Sequence, residues 1–399
     1  MIETVRRRIT KKCLGAANGV LTFVLVFGLG VITTQAAEAQ TFTVLYNFTG
    51  YPFGADPIAG LVRDMAGNLY GTTFYNGGGG YGVVFKLDTT GKETILYRFF
   101  RGHDGENPVA GLILDAKGNL YGDTTAGGYS RYGVVFKVAP SGKETVLHSF
   151  VGGTKDGCYP YGSLLMDKAG NLYGTTEECG ASGYGVVFKL GKNGRKTLLH
   201  SFAGGATDGQ NPDLASLLLD AHSNLYGVTY RGGVSGEGVV YRLSKTGTLT
   251  LLHSFSGGAS DGCFPLGTPV MDTNGNLFGT TNSCGSSGHG IVWELSRTGQ
   301  YIVLHNFAGG ASDGCYPDSG VNLDAAGNLY GTTQYCGSSN DGVVFKVDTG
   351  GHETVLHNFV SGDGIDPYAG VILDAAGNLY GTASEGGSNG YGTVFEITP

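Results

Sequence analysis

Cationic side chains are scarce in this chain: 25 Lys and Arg stand against 33 Asp and Glu among 399 residues, a formal charge of −8. The first 39 residues hold five of the cations (Arg6, Arg7, Arg8, Lys11 and Lys12) and two acids (Glu3 and Glu38), so without them the charge moves from −8 to −11. Such a surface repels a phosphate backbone, which excludes nucleic acid as an expected partner. The usual signatures of catalysis are missing too. There is no Gly-x-Ser-x-Gly elbow, no phosphate-cradling glycine loop, no Cys-x-x-Cys pair and no zinc motif. Beyond Val31 no apolar run is long enough to span a bilayer. No catalytic residue, metal or cofactor is expected.

What the N-terminus does have is a positive stretch from Arg6 to Lys12, an apolar run from Leu14 to Val31, and Ala37-Glu38-Ala39. This is the order of a secretory signal peptide cleaved before Gln40, with an uncleaved anchor as the alternative. The expected domains are residues 1–39, signal peptide, and 40–399, the folded body. Its location is secreted, periplasmic or otherwise in the cell envelope, with no membrane span after cleavage.

Glycine is abundant, 73 residues, and it recurs in register. The word Gly67-Asn68-Leu69-Tyr70-Gly71 returns six times, with Ser223 and Phe278 as its only substitutions, and its Asn residues are spaced by 51, 52, 53, 52, 52 and 50. A fixed period of this length marks a repeat architecture. In the third copy four strands are legible: Ser163–Met166, Asn171–Thr176, Val186–Leu190 and Lys196–Phe202. Turn residues separate them. Runs such as Val186-Val187-Phe188 are apolar on both faces, so both faces of each sheet must be covered.

The phase of the copies predicts how they close. The body begins with a lone fourth strand, Thr43–Phe48, and ends on a third, Thr393–Ile397. Pairing the two completes the last sheet and removes a bare edge. The fold class is all-β: a seven-bladed β-propeller with four antiparallel strands per blade, its ring closed by the N-terminal strand. It is expected to be a monomer.

Six cysteines remain after export, and the repeat selects one pairing among the possible fifteen. Cys158 and Cys179, Cys263 and Cys284, and Cys315 and Cys336 are each 21 apart, nearly centred on a hairpin turn. The four other copies lack both partners. Three disulfides follow, suited to an oxidising compartment.

His148, His200, His253, His305 and His357 share one position of the fourth strand with Tyr46 and Tyr97, which favours a packed structural role. The Asp-Gly loop acids, such as Asp156, suit turn capping better than calcium. The inner strands, which line the channel, offer only Arg63 and Asn322 as polar side chains. What remains for function is the face where the approach loops (fourth strand to next copy) and the crossing loops (second to third strand) emerge. On it the non-repeating Arg101, His103, Glu177, Glu178, Arg231 and His289, with Tyr75, Tyr129 and Tyr335, are the candidate ligand-binding residues. Aromatics among short polar residues suit a glycan, peptide or protein partner.

The unit Gly-Asn-Leu-Tyr-Gly-Thr-Thr, Gly-Val-Val-Phe-Lys, Val-Leu-His-Ser-Phe and Gly-Gly-x-x-Asp-Gly resembles the GloVer tandem repeat of bacterial exported proteins over nearly all of 43–399. The resemblance implies an extracytoplasmic repeat protein and assigns no catalytic residue. The Asp-x-x-Gly-Asn-Leu-Tyr core is also similar to NHL-type and streptogramin-lyase-like propellers. The expected function is an extracytoplasmic binding module acting through the disulfide-bearing loop face. The alternatives are a lyase- or lactonase-like propeller enzyme and a structural envelope component.

Overall fold

Each copy folds around one carboxylate. In the first, Asp64 Oδ1 accepts the backbone N–H groups of Ala66 and Asn68 at 2.9 and 2.8 Å, and Oδ2 accepts the Asn68 amide and the Tyr70 hydroxyl at 2.7 and 3.0 Å. Burial opposes ionisation here, but the donors outweigh it and hold the Asp64 carboxyl below its ordinary range. Asp167 and Asp324 repeat all four bonds. The recurring word is therefore a hydrogen-bonded turn attached to a strand. Its last glycine answers to packing: a Cβ on Gly71 would lie 2.7 Å from the Phe85 ring, which crosses it from the paired third strand.

The computed structural model describes residues 40–77 and 79–399; the signal-peptide reading falls outside them. Among the described residues there are seven four-stranded antiparallel sheets, one per copy, and one short helical turn at Gly310–Ser312. The third blade runs Leu165–Met166, Leu172–Thr176, Val186–Leu190, Lys196–Ser201 from inside to outside. Its innermost strand is two residues long, shorter than the four read from sequence.

Seven hydrophobic clusters fill the seven seams between blades. Val187 and Phe202 of the third blade pack with Leu217, Leu225 and Tyr241 of the fourth. The Val-Val-Phe runs are buried because successive residues serve different seams: Val187 faces the fourth blade while Phe188 packs with Val135 of the second. Closure follows the expected scheme. Thr41–Asn47 pairs antiparallel with Thr393–Thr398, from Thr41 opposite Thr398 to Asn47 opposite Thr393. Phe48, fully buried, joins Tyr380 and Val394 of the last blade to Leu61, Leu69 and Phe85 of the first.

Hydrogen bonds also cross the seams near the axis. Thr175, Thr280, Thr332 and Thr382 donate through Oγ1 to the carbonyls of Ala215, Ser319, Ala369 and Ala59 in the following blade. The second blade has Asp123 at this position. It is 1% exposed, neither carboxylate oxygen has a hydrogen-bond partner among the described residues, and burial pushes its pKa well above the usual carboxylate range. Asp123→Thr restores the repeated pairing and is expected to stabilise the fold by about 2 kcal/mol. The denaturant midpoint measures this; a lower midpoint than wild type contradicts it.

Candidate functional site

The approach loops converge through a strained backbone position present in every copy. The residue before each loop proline, namely Asp56, Asn107, Tyr159, Asn211, Phe264, Tyr316 or Asp366, has φ between 53 and 60°. That region is unfavourable for bulky side chains and persists only when neighbours enforce it. They do so here on both sides. Asn107 N–H donates to the Tyr81 carbonyl at 3.1 Å, and its own carbonyl accepts Thr125 N–H at 3.2 Å. The proline beside it fits only a glycine: a Cβ on Gly82 would lie 2.8 Å from Pro108 Cδ and 2.2 Å from the Thr73 carbonyl oxygen.

These loops enclose a cavity of about 340 Å³ to which all seven copies contribute, so it lies on the axis, at the mouth nearer the disulfides. Its distinctive walls are Tyr161, Leu214, Asp318 and Tyr368. The fourth copy has one residue more here than the third, Pro212 to Asp220 against Pro160 to Asp167, and Leu214 takes φ 49° to absorb it. Burial pushes the Asp213 carboxyl up to about 6. Asp318 is also pushed up to about 6, by burial first and then by the charges of Asp213 and Asp366, despite a 2.5 Å hydrogen bond from the Asn282 amide. Burial, with Asp213 and Glu178 nearby, raises Glu177 to about 7. Burial and the same acids raise Tyr161 and Tyr368 to about 12. The mouth is thus a partly dry ring of acids and phenols.

These shifts fix a pH dependence. A carboxyl whose folded pKa is raised binds its proton more tightly folded than unfolded, so stability falls as pH rises between about 4 and 7. Carboxyls held low, such as Asp64, act only below that window. Unfolding stability is expected to drop from pH 4.5 to pH 7 by on the order of 2 kcal/mol for each of Asp213 and Asp318. Burial also raises Glu93, Glu144, Glu177 and Glu353 to about 7, so the double variant D213N/D318N should lose the share of the slope that these two aspartates contribute and keep the rest; an unchanged slope in urea melts contradicts the assignment.

The nine residues singled out from sequence do not form one patch. Arg101 lies over the Tyr81 ring at 5.7 Å and 3.8 Å from Glu106, while His103 packs on Tyr129 with centroids 4.2 Å apart. Arg231 contacts the stacked pair Tyr230 and Phe264, at 5.3 and 5.2 Å. The His289 ring meets Tyr316 edge-on, with Nδ1 buried and without a partner among the described residues. Tyr75 packs on Phe74. Only Glu177, Glu178 and Tyr335 bear on the mouth, coupled to Asp213, Asp318 and Asp366. Asp213, Asp318, Asp366, Tyr161 and Tyr368 escaped the candidate set. Their signal was present: they flank the loop proline, an element of the repeat whose neighbours differ from copy to copy.

The three disulfides form between the expected cysteines, with Cα–Cα distances of 5.5, 5.4 and 5.4 Å. The partners are diagonal in the ribbon, Cys158 opposite Glu178 and Cys179 opposite Gly157, and do not face each other directly. Such bonds suit an oxidising, extracytoplasmic environment. The channel's two polar residues are both engaged, Arg63 by Asp374 at 3.6 Å and Asn322 by the Val371 carbonyl. No helix among the described residues is long and apolar enough to cross a membrane.

Several solved propellers are similar in fold. A candidate 6-phosphogluconolactonase from Bacteroides fragilis NCTC 9343 is 18% identical, with a TM-score of 0.50 over 79% of this chain and 87% of that one. One from Bacteroides uniformis ATCC 8492 is 14% identical, with a TM-score of 0.49 over 78% and 86%. A gluconolactonase from Xanthomonas campestris is 15% identical, with a TM-score of 0.41 over 73% and 86%. At such identities the likeness concerns the fold. No curated protein matches the sequence. The profile of the Gloeobacter/Verrucomicrobia repeat matches residues 8–218 and 213–399, so the chain belongs to that repeat family.

Proposed function

We propose that this is an exported, monomeric binding module that holds a glycan, peptide or protein segment at the axial mouth of its disulfide-bearing face. The reading rests on one observation: Tyr161, Asp318 and Tyr368, which follow the loop proline where other copies have Ile58, Val109 or Leu266, line one cavity of about 340 Å³, with Asp213 close enough to raise Asp318 by its charge. Repeated residues serve the ring. Residues that break the repeat and converge serve a ligand. Carboxylates and phenols give directional hydrogen bonds to hydroxyl or amide groups, and the tyrosine rings give flat apolar contact.

Glycan and peptide arrays probed with the mature chain test this. Reproducible hits that weaken at least about tenfold in D318N, one charge-assisted hydrogen bond's worth, support it. Arrays without hits, or hits indifferent to D318N and Tyr368→Ala, overturn it. A second reading, a lyase- or lactonase-like enzyme, is favoured by the carboxyls near pKa 6, which are suited to proton transfer near neutral pH. Turnover of a lactone panel that vanishes in D318N supports that reading, and no turnover removes it.

A further inference from the structure

At the outer rim six of the seven seams repeat a second arrangement, unrelated to the mouth. The ring at the shared Tyr/His position bonds to the approach-loop acid in six blades: Tyr97 to Asp104 at 2.9 Å, and His305 Nε2 to Asp313 Oδ2 at 3.3 Å, for example. The next blade lays one residue of its fourth strand against this pair, the residue paired with the end of the third strand, such as Lys196 opposite Leu190 or Glu353 opposite Val347. Its identity varies by seam. Phe42 and Tyr301 stack on His357 and His253, with ring centroids 3.6 and 3.9 Å apart. Lys196 brings its ammonium group onto Asp156 beside His148. These solutions either cover the imidazole or neutralise the acid.

The seam between the fifth and sixth blades does neither. Glu353 adds a second carboxylate to His305 and Asp313, and the three ligand atoms fall within 4.8 Å of one another. Glu353 Oε1 is buried and has no hydrogen-bond partner among the described residues. Where Lys196 supplies a positive charge in the third blade, this seam presents two acids and an imidazole around the equivalent space. The geometry points to a divalent transition-metal site formed by His305, Asp313 and Glu353, a cation of the Zn²⁺, Mn²⁺ or Co²⁺ type joining two neighbouring blades. One nitrogen and two carboxylate oxygens suit these ions better than a thiophilic one. Two ligands each about 2.1 Å from a metal lie about 3.0–3.4 Å apart in octahedral or tetrahedral arrangement, and the His305–Asp313 distance of 3.3 Å already meets this. Glu353 completes the set by a side-chain rotation. Other seams supply the contrast: Leu249 faces the seam of His200 and Asp208, and Glu144 faces Asp104 and Tyr97, with no imidazole.

The untagged mature chain, stripped with EDTA, is titrated with Co²⁺ and then Zn²⁺. One equivalent of Co²⁺ should bind with visible d–d absorption, be displaced by Zn²⁺, and raise the unfolding midpoint as mass action requires. E353Q and H305Y should each weaken uptake by at least about 100-fold, since losing even a residue that only supports a ligand costs about 10- to 100-fold. H305Y copies Tyr97 of the first blade, so the fold tolerates that side chain at the position. Absence of uptake by the wild type, or uptake indifferent to both variants, overturns the site.

Discussion

Deleting residues 40–48 from a chain that spans 40–399 is expected to abolish the single cooperative unfolding transition. The segment supplies the whole outer strand of the last blade and the centre of one seam. Phe48 is fully buried, Phe42 stacks on His357, and Tyr46 donates its hydroxyl to Glu93 at 2.9 Å. Losing the burial of four or five such side chains removes about 8 kcal/mol, close to the entire stability of an ordinary domain. It also bares the edge of Thr393–Thr398, a template for pairing with other chains. Near-UV circular dichroism and size-exclusion chromatography should show broad melting and oligomers. Because Thr41 lies opposite Thr398, a permutant that begins near Thr49 and carries residues 41–48 after Pro399 through a short turn rebuilds a standard hairpin and should recover the wild-type midpoint. A deletion variant that melts within a few degrees of wild type would sink the closed ring.

The ring and its closure were legible because a repeat turns one weak signal into seven aligned ones. Asp64, Asn68 and Tyr70 are unremarkable separately; returning together, they identify a turn that the structure shows to be a single hydrogen-bonded unit. The disulfides were legible for the same reason, since three copies gained both cysteines and four have neither. The lengths of the innermost strands were over-read. Leu164 continues the apolar run and is buried in the seam but lies outside the ladder, and periodicity does not report where hydrogen bonding stops. The histidines read as packed residues, and their bond to an acid eight positions on in four of the five copies was missed. An Asp-Gly pair looks like an ordinary turn, and nothing local says which side chain it caps. The site was the least legible. Arg101, Arg231 and His289 depart from the repeat yet pack with local aromatics, while Asp213 and Asp318, beside prolines in sequence, bear on the mouth. Convergence on an axis is a property of the closed ring, and no single copy contains it.

The second large effect concerns where stability is stored on that ring. Each disulfide closes a loop of about 22 residues and so contributes about 3 kcal/mol by restricting the unfolded chain. Three of them together rival the net stability of the domain. They are unevenly placed, in the third, fifth and sixth blades, while the first, second, fourth and seventh have only hydrogen-bonded bridges at the same position, such as Glu106 with Ala126. The triple variant C158S/C263S/C315S, or reduction of the wild type, should therefore lower the urea midpoint steeply and change cooperativity together with it. The approach loops of the cross-linked blades are the ones bearing Tyr159-Pro160-Tyr161, Phe264-Pro265 and Tyr316-Pro317-Asp318, whose strained residues lie two to three positions before residues that line the mouth, Tyr161, Gly267 and Asp318. Hydrogen exchange on reduction should thus rise first at residues 156–163, 261–268 and 313–320, with the crossing loops of the first and second blades little changed. Uniform loss of protection around the ring would instead mean that the covalent links act only through the unfolded chain and do nothing to hold the mouth in shape.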